Sequence, residues 1–143
     1  MNKILVAFIL IFLSLSAKSQ NYIGLSKSQI FSDTTLKEEV GQDSLRDGTP
    51  FLIIRNQGSN HNTRRYFFDK VTGRCNMYIV EPADEQALSD FIRLYTANYT
   101  SSGDKRWKTQ LNGFNVIVSL EKGSASGRNY FFFEARGETT PQR

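Results

Sequence analysis

The chain carries one cysteine, Cys75, and one histidine, His61. Brought together, an imidazole could take the thiol proton and leave a nucleophilic thiolate. The stretch Arg64 to Val80, RRYFFDKVTGRCNMYIV, also sets Arg64, Arg65 and Arg74 among aromatics. That mixture binds nucleic acid when the cations share one surface. Both chemistries depend on the element that holds the residues. RRYFF and RCNMYIV are β-prone runs on either side of DKVTG, a connection ending in a glycine free to take positive φ. The spacing predicts a hairpin, on which Arg64 and Arg65 leave opposite faces. Cys75 is expected to share a face with Met77 and Ile79, where a thiol behaves as a small hydrophobe with a raised pKa. His61 falls in the polar loop GSNHNT. The pair is therefore read as a structural cysteine and a loop histidine, and no catalytic residue is assigned.

Other chemistries find less material. A durable zinc site draws on several Cys or His ligands. Asp43 and Asp47, in the loop-like GQDSLRDG, lack the following bidentate acid that a calcium loop needs. Glu38-Glu39 and Asp84-Glu85 suit the surface or the start of a helix. A carboxylate hydrolase would need acids such as Asp69 or Glu134 to converge on one cleft with polar partners. No phosphate loop, nucleophile elbow or HExxH occurs, and GSASG reads as a hairpin connection. The expectation is no enzyme, no cofactor and no metal.

The amino-terminal residues MNKILVAFILIFLSLSAKSQ have the layout of a secretory leader. Lys3 is the positive start, Ile4 to Leu15 the apolar run, and Ala17-Lys18-Ser19 the small-residue cleavage site. The run is short for a bilayer-crossing helix, which takes about 20 residues. Residues 1–19 are read as signal peptide, 20–137 as one domain and 138–143 as a tail. The alternative is an uncleaved anchor. Export to the periplasm or beyond is expected, with no membrane span in the mature chain. The chain has eighteen basic and fourteen acidic residues; losing Lys3 and Lys18 leaves sixteen against fourteen, or +2. The remaining charges are interspersed, so no nucleic-acid surface is expected. With Cys75 alone there is no internal disulfide, and stability rests on packing.

The elements that must place these side chains follow from patterning. Ser26 and Gln29 form a capping-box pair opening a short helix, to which Leu36 and Val40 could add apolar contacts. Gly41 to Pro50 reads as loop, and FLIIRN as a strand. In ADEQALSDFIRLYTANY, residues Leu88, Phe91, Ile92, Tyr95 and Tyr99 share one helical stripe. SSGD then breaks the helix. KRWKTQL and FNVIVSLEK are joined through Asn112-Gly113, the pair suited to a type I′ turn. RNYFFFEAR is a last strand. The order is α-βββ-α-βββ. The fold class is α+β, an antiparallel sheet of about six strands with two helices on one face.

Strand aromatics outnumber the places on one sheet face, since adjacent residues point oppositely. Part of the set Tyr66, Phe68, Tyr78, Trp107, Tyr130 and Phe132 is thus expected on the outer face, as a surface for binding. Finally, Ile23 to Ile30, IGLSKSQI, resembles the opening of small exported bacterial α+β proteins of unknown function. With the element order, it is similar to the β-lactamase-inhibitor-like and outer-membrane-assembly small lipoprotein group. The chain departs from the lipoprotein members in having no lipid-bearing cysteine after its leader. The resemblance implies binding to another protein. The leading expectation is a non-enzymatic binding or interaction module of the bacterial envelope, its partner another envelope or extracellular protein. The alternatives are a periplasmic small-ligand binder, with a cavity lined by Phe114, Val116 and Tyr95, and a carboxylate-dependent envelope hydrolase.

Overall fold

A computed structural model describes residues 22–33, 38–56 and 62–138. The predicted leader, His61 and the end of the tail lie outside them. Helix α1 (Lys27–Asp33) is followed by strands β1 (Glu38–Ser44), β2 (Pro50–Asn56), β3 (Thr63–Phe68) and β4 (Cys75–Glu81). Helix α2 (Glu85–Asn98) is followed by β5 (Thr100–Gly103), β6 (Arg106–Leu111), β7 (Phe114–Lys122) and β8 (Asn129–Glu138). All eight strands form one antiparallel sheet in the order β1-β2-β3-β4-β8-β7-β6-β5.

This corrects the expected six strands and α-βββ-α-βββ order to eight strands in an α-β4-α-β4 order. The two additions are the edge strands. Gly41–Ser44 belongs to β1 rather than to a loop, and Thr100–Gly103 forms β5 where only a helix break was expected. An edge strand is ordered by pairing on one side and needs no apolar face of its own, so polar sequences suffice. The first helix ends at Asp33, and Val40 sits on β1 opposite Ile54.

Turns and caps follow local chemistry. Asn112 and Gly113 both take positive φ, as the tight β6–β7 hairpin requires. Ser26 N–H donates to the Gln29 side chain at 2.8 Å and Gln29 N–H to Ser26 Oγ at 3.3 Å, closing the capping box. Asp84 caps α2 by accepting the Ala87 N–H at 2.8 Å.

Both helices bury their apolar side on one sheet face. Ile30 of α1 and Phe91 and Tyr95 of α2 are buried in a single core with Leu52, Tyr66, Tyr78, Val118, Phe131 and Phe133. Opposed residues in the register build an aromatic row across β3, β4 and β8. Tyr66 lies 5.1 Å from Tyr78, and Tyr78 stacks on Phe133 at 4.2 Å between centroids. Tyr95 closes the row from above, edge-on to Phe131 at 5.0 Å and to Phe133 at 5.5 Å.

The IGLSKSQI segment ties this layer together. Gly24 N–H donates to the Cys75 carbonyl and Cys75 N–H to the Leu25 carbonyl, both at 2.8 Å, while Asn112 Nδ2 donates to the Ile23 carbonyl at 2.9 Å. Gly24 has φ +84°, and a Cβ built there would fall 2.5 Å from the Phe114 ring. Only glycine fits both the backbone angle and the space.

Candidate functional site

The sheet face away from the helices is best read through its register. One row crosses all eight strands as Asp43, Phe51, Phe67, Met77, Glu134, Ile117, Lys108 and Thr100. The next runs Gly41, Ile53, Arg65, Ile79, Phe132, Ser119, Arg106 and Gly103. Phe67 is buried here, its ring 5.7 Å from that of Phe51. Phe51, Ile53, Met77, Ile79, Ile117 and Phe132 are half-buried, with no described helix above them. Charges interrupt the apolar surface as pairs. Arg65 meets Glu81 at 3.2 Å, and Arg136 meets Glu134 at 2.8 Å. Beside Phe132 and Ser119 a groove of about 350 Å³ is edged by Lys105, Arg106 and Arg136 and by Asp104, Glu121 and Glu134.

The six aromatics proposed for binding divide between the two faces. Tyr66, Phe68, Tyr78 and Trp107 are buried in the core beneath the helices. That placement removes them from any surface, because the register turns them to the inner face, where Tyr66 opposes Tyr78, Phe68 opposes Cys75 and Trp107 opposes Val118. Tyr130 and Phe132 lie on the outer face and are half-buried. Sequence reasoning missed the larger part of this surface: Phe51, Ile53, Met77, Ile79 and Ile117. The signal was present in FLII, whose consecutive apolar residues must serve both faces of β2.

Cys75 corrects a second expectation. The β3–β4 register slips between Phe67 and Phe68, pairing Phe67 with Met77 but Phe68 with Cys75. The extra residue, Asn76, reverses the alternation. Cys75 therefore faces inward with Tyr78 and Val80, while Met77 and Ile79 face outward. Burial pushes its thiol up to about 12, and the thiol donates to the Met77 carbonyl, 3.4 Å from Sγ. A thiol so held is no nucleophile at neutral pH. Arg64 and Arg65 do diverge: Arg64 is buried on the inner face, and Arg65 lies outside with Glu81.

The acids considered for hydrolysis hold other positions. Asp69 shapes the β3–β4 turn, accepting N–H bonds from Val71 at 2.9 Å and Thr72 at 2.7 Å; these hold its carboxyl below the ordinary value. Glu134 borders the outer groove but is paired with Arg136. Asp43 donates structure locally, its carboxylate accepting the Ser44 N–H at 2.7 Å. Asp47 accepts from Thr49 at 2.9 Å. Tyr95 and Val116, suggested as the lining of a ligand cavity, are buried in the core, and Phe114 packs its ring over Gly24. Among the described residues no three His, Cys, Asp or Glu side chains gather as metal ligands, and no helix is long and apolar enough to cross a membrane. No protein-family model, curated protein or solved structure matches the chain.

Proposed function

We propose that the protein is an exported, non-enzymatic binding module of the bacterial envelope, and that it docks another envelope or extracellular protein on the outer face of its sheet. The supporting observation is the composition of that face. A solvated side of an antiparallel sheet ordinarily turns polar residues outward. Here Phe51, Ile53, Ile79, Ile117 and Phe132 share that face, interrupted by the Arg65–Glu81 and Arg136–Glu134 ion pairs. A half-buried apolar surface whose charges are already paired suits contact with another protein better than it suits water. Export is read from the leader-like residues 1–19.

The test is capture from envelope extracts with the chain from Gln20 onward, beside variants Phe132→Asp and Ile79→Asp. A specific partner should be held by the parent protein and lost by both variants while their melting temperatures stay within a few degrees of it. A partner held equally by all three, or no stable partner at all, would overturn the reading.

A further inference from the structure

We propose that Asn112 is a deamidation site, and that its conversion to aspartate or isoaspartate unfastens the opening segment at Ile23 from the β6–β7 hairpin. Two observations meet at this residue. Asn112 and Gly113 form the exposed tip of the hairpin, and both take positive φ, 50° and 80°. The Asn112 side chain also reaches a point 89 residues earlier in the chain, its Nδ2 donating to the Ile23 carbonyl at 2.9 Å.

The glycine that follows supplies the reaction. The Gly113 backbone nitrogen gives its proton to hydroxide and attacks Asn112 Cγ. The N–Cγ bond forms, the Cγ–Nδ2 bond breaks, and Nδ2 leaves as ammonia, taking a proton from water and so regenerating hydroxide. Water then opens the cyclic imide. Cutting the new N–Cγ bond gives aspartate, and cutting the original peptide bond gives isoaspartate. Nothing is oxidised or reduced. Glycine favours ring closure because it has no Cβ to crowd the attacking nitrogen, and the exposed turn admits the water that both steps need.

The nitrogen expelled is the one that holds Ile23. While Nδ2 donates to that carbonyl, the side-chain amide is fixed in one orientation, and reaction waits on local opening. The product cannot close the latch again. An ionised carboxylate only accepts hydrogen bonds, so two acceptors would face each other where a donor met an acceptor. Isoaspartate also lengthens the backbone of a tight turn by one carbon. The affected segment is otherwise firmly tied: Ile23 is fully buried, Gly24 N–H donates to the Cys75 carbonyl and Cys75 N–H to the Leu25 carbonyl. Deamidation therefore turns a transient opening beside this tie into a permanent one. The outer sheet face takes no part, so the proposal does not rest on the partner proposed above.

Peptide mapping tests it, using the chain from Gln20, which contains every described element, aged in mildly alkaline buffer. The tryptic peptide Thr109–Lys122 should show the mass change of an amide turned to an acid, and fragmentation should place it at Asn112 rather than Asn115. The folded protein should react at least about tenfold more slowly than the chain in denaturant, where no latch exists. Both readouts use the unsubstituted protein. In Asn112→Asp, the Gly24 and Cys75 amides should exchange with solvent at least about fivefold faster than in the parent. Asn115→Asp, exposed on the same hairpin, should leave both amides unchanged. Absence of modification at Asn112 in the folded protein, or equal rates folded and denatured, would overturn the proposal. Parental exchange in Asn112→Asp would do the same, as would equal acceleration by Asn115→Asp.

Discussion

Gly24→Ala is the most informative single substitution in this fold. The glycine has φ +84°, a backbone region that costs an L-residue about 1–2 kcal/mol. The added methyl would also fall 2.5 Å from Cε2 of Phe114, closer than carbon atoms can approach, and a tight 3.3 Å from Cδ2. Moving the ring or the backbone adds about 1–3 kcal/mol, the usual range for forcing a group into a packed site. The expected loss is about 3 kcal/mol, which lowers Tm by about 12 °C at about 4 °C per kcal/mol for a domain of this size. Phe114→Leu separates the two costs, because leucine lacks the ring atoms that meet the methyl. In urea or thermal melts the double variant Gly24→Ala/Phe114→Leu should be more stable than additivity allows by about 1–2 kcal/mol. If Gly24→Ala melts within about 2 °C of the parent, the tie between the opening segment, β4 and the β6–β7 hairpin is not what the distances imply.

Four further outcomes follow. Cys75 should react with a thiol reagent at pH 8 at least about 100-fold more slowly in the native protein than in denaturant, since burial raises its pKa to about 12; a native rate near that of free cysteine would refute the inward placement. Stability should fall in alkali: burial raises the pKa of Cys75, Tyr66, Tyr78, Tyr95 and Tyr99 above the ordinary values of 9.0 for the thiol and 10.0 for the phenols. The unfolded chain loses these protons first, so their contribution is complete below about pH 9 and declines as pH rises through 10 and beyond; urea midpoints measured from pH 7 to 11 check the sign. Tyr95→Phe should leave stability unchanged or raise it by up to about 1 kcal/mol, because the buried hydroxyl meets no hydrogen-bond partner among the described residues; a loss above about 1 kcal/mol would show that the hydroxyl is engaged. Asp84→Ala should cost about 1 kcal/mol in a thermal melt by uncapping α2, and an unchanged Tm would contradict the cap.

Features governed by one or two local residues are legible in the sequence. Helix α2, the Ser26–Gln29 capping box, the Asn112-Gly113 turn and the DKVTG hairpin each have a nearby physical cause, and each is present. Side-chain direction along β4 was not legible, because it depends on the register slip beside Phe68, a property of two strands together. The edge strands escaped for a related reason: EEVGQDS and TSSG have polar sequences and are ordered by their neighbours, β2 and β6. The outer apolar surface could be anticipated as an excess of aromatics over inner positions. Assigning its members needed the strand phase, which sends Tyr66 inward and Phe67 outward.

The strand order β1-β2-β3-β4-β8-β7-β6-β5 has a kinetic consequence. Six of the seven strand pairings join neighbours in the chain and close short loops, at little entropic cost. Only the seam of Met77–Val80 with Phe131–Glu134 must recruit segments more than fifty residues apart. Two four-stranded meanders should therefore condense separately and fuse late, with mutational φ-values low at the seam and higher in the hairpins. High values at Tyr78 and Phe133 would instead make the seam the nucleus.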